Sequence, residues 1–423
     1  MGTGPKRAIV LCGGGSLGSY EIGVWRFLRE KNIGFDIVTG TSIGAINGAF
    51  MAAGEYERAK DNWESLTVDK VIVNGVNVPK NFMKVFNPKT DMPKLRALRK
   101  SYAKNGGVDI TPFMGWLKKE LPADKVKASK VRIGIVTTEF PSFHEKDVIL
   151  NDVDEKDIVP YLHASSACWP VFPMYTFKKK KYIDGGYTNN LPIDLAIKLG
   201  AEEIIAVYLR AEPKVPQHPE LMDLPMVKLI YANHDTGSIL DFDVDVTNGN
   251  MELGYLDAGR CLGYFWGYEL SIEKDESAEP LANRLNYEMA SESLQLYQKA
   301  RKALSLKRGN VATSMDVFIR SLEKLALWLD ADYHRLYTLR DLFAAIGDLL
   351  KKAEAERAAQ PKKKKFKNGA LSTAESRKAF VLEAFRHLRA DKKKESFLQT
   401  FKASPESFAV YHAISLLNSM KLI

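Results

Sequence analysis

The chain has 423 residues, 45% of them hydrophobic and 27% charged, with a formal net charge of +9, the composition of an ordinary globular protein. A length above ~250–300 residues exceeds what one core normally fills, so two domains are expected. The charge is lopsided: residues 1–280 hold roughly 34 basic and 37 acidic side chains and residues 281–423 roughly 27 and 15, so only the C-terminal part is basic, and without a helix-turn-helix, zinc or RNA-binding signature this argues against a nucleic-acid partner.

Taken in chain order, MGTGPKRAIVLCGGG places two cations before a short apolar run that ends in glycines. That run is too short for a signal-peptide core and reads as a first strand, Arg7–Cys12. Gly13-Gly14-Gly15-Ser16-Leu17-Gly18 follows, then Tyr20, Ile22, Val24, Trp25 and Leu28 at helical spacing. A second strand is predicted over Phe35–Thr39, and a helix of small residues from Ile43 to Ala53. Segment 55–125 is less regular, with a helix over Thr111–Leu121. Val131–Thr137 reads as a strand, Asp157–Ser166 as a helix, and Tyr175–Asp184 as strand on either side of four lysines. Ile193–Leu199 is a helix closed by Gly200, and Glu203–Leu209 a buried strand. Strands alternating with helices imply an α/β fold whose mostly parallel sheet is covered on both faces.

After residue 275 the period is helical throughout, for example over Asn283–Leu306 and over Met315–Leu329 with Phe318, Leu322, Leu325 and Leu329 on one face. Ser372 with Glu375 has the spacing of a capping box, and Ser404-Pro405 that of an N-cap with proline at N1. The expected organisation is an α/β domain over 1–275 and a basic, all-helical region over 276–423 that contains an exposed lysine loop, Lys362–Lys365. No window approaches ~18 uninterrupted apolar residues, so no membrane span is expected. Cys12, Cys168 and Cys261 are too few and too far apart for a disulfide framework or a CxxC knuckle, which suits a reducing, cytoplasmic setting.

Three stretches carry chemistry. GTSIG, residues 40–44, is a G-x-S-x-G in which a serine follows a strand and opens a helix, the context of a nucleophile on a strained turn. Gly40 and Gly44 are small where neighbouring backbone must approach, although a plain glycine-rich loop is the alternative for the letters alone. GGGSLG at 13–18 formally satisfies G-x-G-x-x-G, but a dinucleotide site needs an acidic residue at the end of the second strand, about 20 residues on, and there the chain reads Thr39-Gly40-Thr41-Ser42. Its glycines suit backbone N–H groups that face a developing oxyanion, or else a structural turn. Asp184-Gly185-Gly186 alone is most often a hairpin turn; the polar continuation Thr188-Asn189-Asn190-Leu191-Pro192 up to a helix start would allow Asp184 to reach the active end of the sheet.

In that order the three motifs resemble those of the patatin-like phospholipase family. The surrounding text, SYEIGVWRFLRE, ASSACWPVFP and NNLPIDLAIKLGAEEIIAVYL, is similar to it too, over residues 6–270. The resemblance implies a three-layer α/β/α domain with a catalytic dyad: Ser42 as nucleophile, Asp184 as general base, Gly13, Gly14 and Gly15 as the oxyanion hole, and Gly40 and Gly44 as the nucleophile elbow. It implies a lipid or fatty-acyl ester substrate and no cofactor, and the sequence has neither an EF-hand spacing nor an HExxH pair. Where the family usually carries Arg or Lys in the loop, this chain has Leu17. Backbone donors survive that change; a cation's help in ordering the loop or attracting an anionic head group does not. A serine triad would need a histidine after Asp184, and His218 and His234 qualify by order alone. The expected function is therefore a lipid acyl hydrolase of the phospholipase A or lysophospholipase kind. The alternatives are a non-catalytic acyl-lipid-binding or scaffolding protein, and a thioesterase or acyltransferase that uses the same dyad. Val71, Val73, Val76, Val78, Phe82, Met83, Val85 and Phe86 are candidates for an acyl-channel wall, and Lys362–Lys365 with Lys392–Lys394 for peripheral contact with an anionic membrane.

Overall fold

The first unit has the strands β1 (Arg7–Leu11), β2 (Ile37–Thr41), β3 (Arg132–Phe140), β4 (His144–Ile149), β5 (Tyr175–Phe177), β6 (Lys180–Asp184), β7 (Glu203–Tyr208) and β8 (Val227–Tyr231), of which β1, β2, β3 and β7 are rich in β-branched residues. The computed structural model describes residues 4–78, 88–209, 217–305, 312–359, 369–390 and 397–423, and the chain divides into two units, Met1–Leu262 and Gly263–Ile423. In the first unit the strands make one eight-stranded sheet in which β8, β7, β1, β2 and β3 run parallel. Ala8–Leu11 is almost wholly buried, as a strand covered on both faces must be.

The two covering layers follow from alternation along β3. Ile133 pairs with Val38, and α2 (Ile43–Ala53) packs on that face, with Gly48 so close that a Cβ would come within 2.8 Å of Val38 Cγ1. Gly134, the next residue, points the other way, where a Cβ would sit 2.9 Å from Leu195 Cδ2 of the helix Ile193–Lys198. Helices therefore lie on both faces, giving the α/β/α arrangement expected from sequence.

β3 has three partners but only two edges. Gly134–Glu139 pairs antiparallel with β4 along one edge, and on the other β2 pairs parallel up to Thr41↔Val136 while β6 pairs antiparallel up to Asp184↔Thr137. β2 and β6 thus meet end to end, with their C-terminal residues against adjacent positions of β3.

Strand limits differ from the sequence reading at informative places. β2 runs from Ile37 through Gly40 and Thr41, so the serine turn begins with no intervening loop. β3 continues three residues beyond Thr137, and this extension is what β6 pairs with. β4 and β8 were not expected; HEKDVI is a mostly polar strand whose alternation is too weak to stand out in sequence.

The second unit is built on the helices Glu279–Glu292, Leu294–Ala303, Ser314–Trp328, Leu339–Ala359, Ala374–Arg389, Leu398–Ala403 and Glu406–Ser419, with a small sheet of β9 (Phe265–Trp266), β10 (Ser271–Glu273) and β11 (Leu336–Tyr337). Phe318, Leu322, Leu325 and Leu329 are buried together, as their spacing predicts. Glu323 Oε1 accepts the amides of Tyr268, Glu269 and Leu270 at 2.6–2.7 Å and so ties this hairpin to the core. Capping differs by one residue from expectation: Thr373 with Ser376 forms the capping box, and Ser404 Oγ accepts the Leu371 amide instead of capping the last helix. Lys362–Lys365 and Lys392–Lys394 lie outside the described residues. No described helix is long and apolar enough to cross a membrane.

Candidate active site

Ser42 stands between β2 and α2 at φ 55°, ψ −123°, a conformation that costs a non-glycine residue ~1–3 kcal/mol and persists only where its surroundings over-determine it. Those surroundings are specific. A Cβ on Gly40 would come 2.4 Å from the Gly44 carbonyl oxygen, and one on Gly44 would come 2.6 Å from that of Leu11, so both positions admit only glycine. The Ser42 amide donates to Ser165 Oγ at 2.9 Å, and the Ser165 hydroxyl donates to the Val136 carbonyl at 2.7 Å. Ser165 was not singled out in the sequence; its role depends on the helix Glu155–Ser165 ending against β3.

Asp184 arrives from the other side of the junction. It is 1% exposed, its amide donates to the Ala167 carbonyl at 2.8 Å, and its Oδ1 accepts the Gly186 amide at 2.7 Å. Gly185 lies against the elbow: a Cβ there would be 2.2 Å from the Val136 oxygen and 3.0 Å from Thr41 Cγ2. Thr137 and Thr138 hydroxyls donate to the Ile183 and Asp184 carbonyls and pin the strand end.

The glycine loop closes the third side. The Gly13 amide donates to the Asn190 carbonyl at 3.2 Å, and Asn190 Nδ2 returns a bond to the Gly13 carbonyl at 3.2 Å. The Gly13 N–H is thus engaged with Asn190, and Gly13 makes the close approach to Ser42, whose Cβ is 3.1 Å from where a Gly13 Cβ would be. The amides of Gly14 and Gly15 have no acceptor among the described residues. Gly15 has φ +59°, and a Cβ there would strike the Ile239 oxygen at 2.3 Å, so the turn needs glycine on both counts. Leu17 is 3% exposed, a core residue of this turn.

Beneath the loop lies a polar cluster the motifs did not announce. Asn47 Nδ2 donates to the Gly18 carbonyl at 2.9 Å and to Glu21 Oε2 at 2.8 Å, while Trp63 Nε1 donates to Asn47 Oδ1 at 3.0 Å. Because an indole can only donate, Trp63 fixes the orientation of the Asn47 amide. Burial pushes the Glu21 carboxyl well above its ordinary range, against the opposing pull of Asn47 and the Cys12 amide. A raised folded pKa means that the native state holds the proton more tightly than the unfolded chain, so stability is lost as pH climbs from about 4.5 toward the folded value. Glu21→Gln, isosteric and unable to ionise, is expected to flatten that slope and to melt higher than wild type near pH 8, by roughly 2–4 °C per kcal/mol removed. Thermal melts of both proteins across pH check this; parallel curves would show that Glu21 does not carry the dependence.

Ser42, Asp184 and Gly13–Gly15 line one cavity of about 140 Å³ whose remaining walls are mainly apolar, including Ile46, Trp63, Phe113, Trp116, Phe172 and Leu240. Of the anticipated wall residues Val71 lines it, Val76 is buried and Val73 is 36% exposed, while Phe82, Met83, Val85 and Phe86 lie outside the described residues. Ile239, Leu240 and Phe242 were missed. They reach the cavity because the Val78 amide donates to the Leu240 carbonyl at 3.1 Å, a pairing across more than 160 positions. Neither His218 nor His234 lines this cavity; His218 is exposed beside Glu220. His163, buried against Tyr175, is pushed down to about 4 and stays neutral, also away from the cavity.

The sequence profile of the patatin-like phospholipase family matches residues 9–197, from β1 to the helix after the Asp184 loop, a span that contains all three motifs. Residues 9–197 carry a patatin-like phospholipase domain. Patatin-like phospholipase domain-containing protein 7 of Rattus norvegicus is 30% identical to it over 212 residues, 48% of this chain and 14% of that protein. Patatin-like phospholipase domain-containing protein 6 of Homo sapiens is 28% identical over 215 residues, 48% and 13% respectively, and lysophospholipase nte1 of Aspergillus terreus 29% over 212 residues, 48% and 12%. The chain therefore spans about one-seventh of the length of these relatives. Among solved structures, VipD from Legionella pneumophila is similar with a TM-score of 0.40 and 14% identity, covering 98% of this chain and 90% of that one. The patatin-like domain thus coincides with the part of the first unit in which β2 and β6 meet.

Proposed function

We propose that the protein hydrolyses carboxylic esters of lipids through an acyl-Ser42 intermediate, with Asp184 as general base. The observation that carries this reading is the end-to-end meeting of β2 and β6 on one edge of β3, which brings a strained serine and a buried aspartate to the same apolar cavity. In the first step Asp184 takes the Ser42 proton as Oγ attacks the ester carbonyl, and the Gly14 and Gly15 amides with the N-terminus of α2 hold the oxyanion. Collapse of that intermediate expels the alcohol, which leaves with the proton from Asp184. A water molecule then gives a proton to Asp184 and attacks the acyl-serine, and as that intermediate collapses Asp184 returns the proton to Ser42 Oγ, which frees the fatty acid and restores both residues. The patatin-like relatives support a lipid hydrolase, and the apolar walls suit an acyl chain over a polar ligand.

A thioesterase or acyltransferase would share the acyl-serine and differ only in the acceptor. A purely acyl-binding protein would account for the cavity but not for the backbone strain at Ser42, which binding does not need. Incubation with a panel of phospholipids, lysophospholipids, glycerides and p-nitrophenyl esters, followed by mass spectrometry, should show free fatty acid from at least one lipid class. Absence of release from every ester would overturn the hydrolase reading. Three cysteines, few and far apart in the sequence, suit the proposed cytoplasmic setting, with peripheral contact at an anionic membrane where the substrate resides.

A further inference from the structure

Two turns share one end of the sheet. β3 ends at Phe140, which pairs with Lys181 of β6, so the turn Pro141-Ser142-Phe143 into β4 and the turn Lys178-Lys179 between β5 and β6 both project beyond that pair. Phe143 is 50% exposed, at φ 53°. A lone exposed phenylalanine would mean little. Here the ring continues a line of aromatics, 5.7 Å from Phe140 and 6.5 Å from Tyr187, with Phe140 6.1 Å from Trp169. Tyr187 follows Asp184 by three residues and its hydroxyl donates to the Trp169 carbonyl, while Trp169 follows the cavity-lining Cys168. An aromatic ridge therefore leads from beside the cavity to the tip of the turn.

The second turn supplies the charge. Lys178 pairs with Asp157 and Lys180 with Glu139, whereas Lys179 and Lys181 are exposed and make no ion pair among the described residues. His144 is the other titratable group of the first turn and is exposed. Asp154 also acts on Lys178 but is itself paired with Lys156, so Lys179 and Lys181 are in surplus and leave this end of the sheet positive. An exposed ring at the tip of a half-buried aromatic ridge, flanked by lysines outside any described ion pair, is the chemistry of an anionic bilayer interface: the ring settles at head-group depth while ammonium groups meet lipid phosphates and carboxylates.

We propose that the Phe140–His144 and Phe177–Lys181 turns form a docking surface for an anionic lipid bilayer. The assignment is independent of the basic C-terminal region. It rests on the lipid-hydrolase reading for its purpose, since docking there would bring the Ser42 cavity to its substrate, but vesicle binding is measurable without catalysis.

The full chain is sedimented with vesicles of phosphatidylcholine alone and of phosphatidylcholine with phosphatidylserine, and thermal melts confirm that each variant is folded. Lys179→Glu with Lys181→Glu is expected to weaken binding to the anionic vesicles at least ~10-fold, and Phe143→Ser to weaken binding to both compositions. Hydrolysis of a water-soluble p-nitrophenyl ester should be unchanged in every variant. If the folded variants sediment as wild type does, or wild type binds neither vesicle, the docking surface is wrong. Vesicle binding that depends on these residues in a protein that cleaves no ester would uphold the surface and overturn the catalytic reading alone.

Discussion

Ser42→Ala is expected to lower ester hydrolysis by at least ~10³-fold, about 4 kcal/mol of barrier, and to abolish labelling by a fluorophosphonate probe. The loss should fall on kcat, because the cavity walls that hold an acyl chain are untouched. Ser42→Ala keeps the strained backbone, so its melting temperature should stay near wild type. Ser42→Gly is equally inactive in expectation but adopts φ 55° without cost, and should be more stable by about 1–3 kcal/mol. Opposite movement of activity and stability at one position is the signature of a residue held in place for chemistry. Equal labelling of wild type and Ser42→Ala would remove the nucleophile assignment.

Asp184→Asn is expected to cost ~10²–10⁴-fold, the range for loss of a positioned general base. The amide has the same size as the carboxylate, and its oxygen can still accept the Gly186 N–H now bonded to Oδ1 at 2.7 Å, so the Gly185–Tyr187 turn should hold. What disappears is the group that takes the Ser42 proton. Circular dichroism should match wild type while p-nitrophenyl ester turnover collapses. A variant that turns over within tenfold of wild type would require another base, and none of the histidines His163, His218 and His234 lines the cavity to serve.

Legibility of the site divides at the range of the interactions. The demand for glycine at Gly15 and Gly40 can be read locally, because a tight turn beside a strand leaves no room for a Cβ, and the structure supplies the obstructing atoms, the oxygens of Ile239 and Gly44. Nothing local marks Ser165, whose hydroxyl braces the elbow across 123 positions, or Asn190, which anchors Gly13 across 177. Glu21, Asn47 and Trp63 read in sequence as ordinary members of helices; only the packing of three helices under the loop makes them a connected cluster.

The amino-acid order by itself determined the α/β alternation, the strained serine between glycines, the helical second region and the types of residue available for acyl transfer, because periodicity and turn chemistry act over a few positions. Tertiary structure alone decided that β3 would be long enough to carry β2 and β6 on the same edge. Strand pairing is a choice among distant segments, made by which apolar faces bury together and which ladders remain open, and no short window of residues contains that choice. It is this pairing that brings positions 42 and 184 to one cavity, and it places the aromatic and lysine turns together at the end of the same sheet.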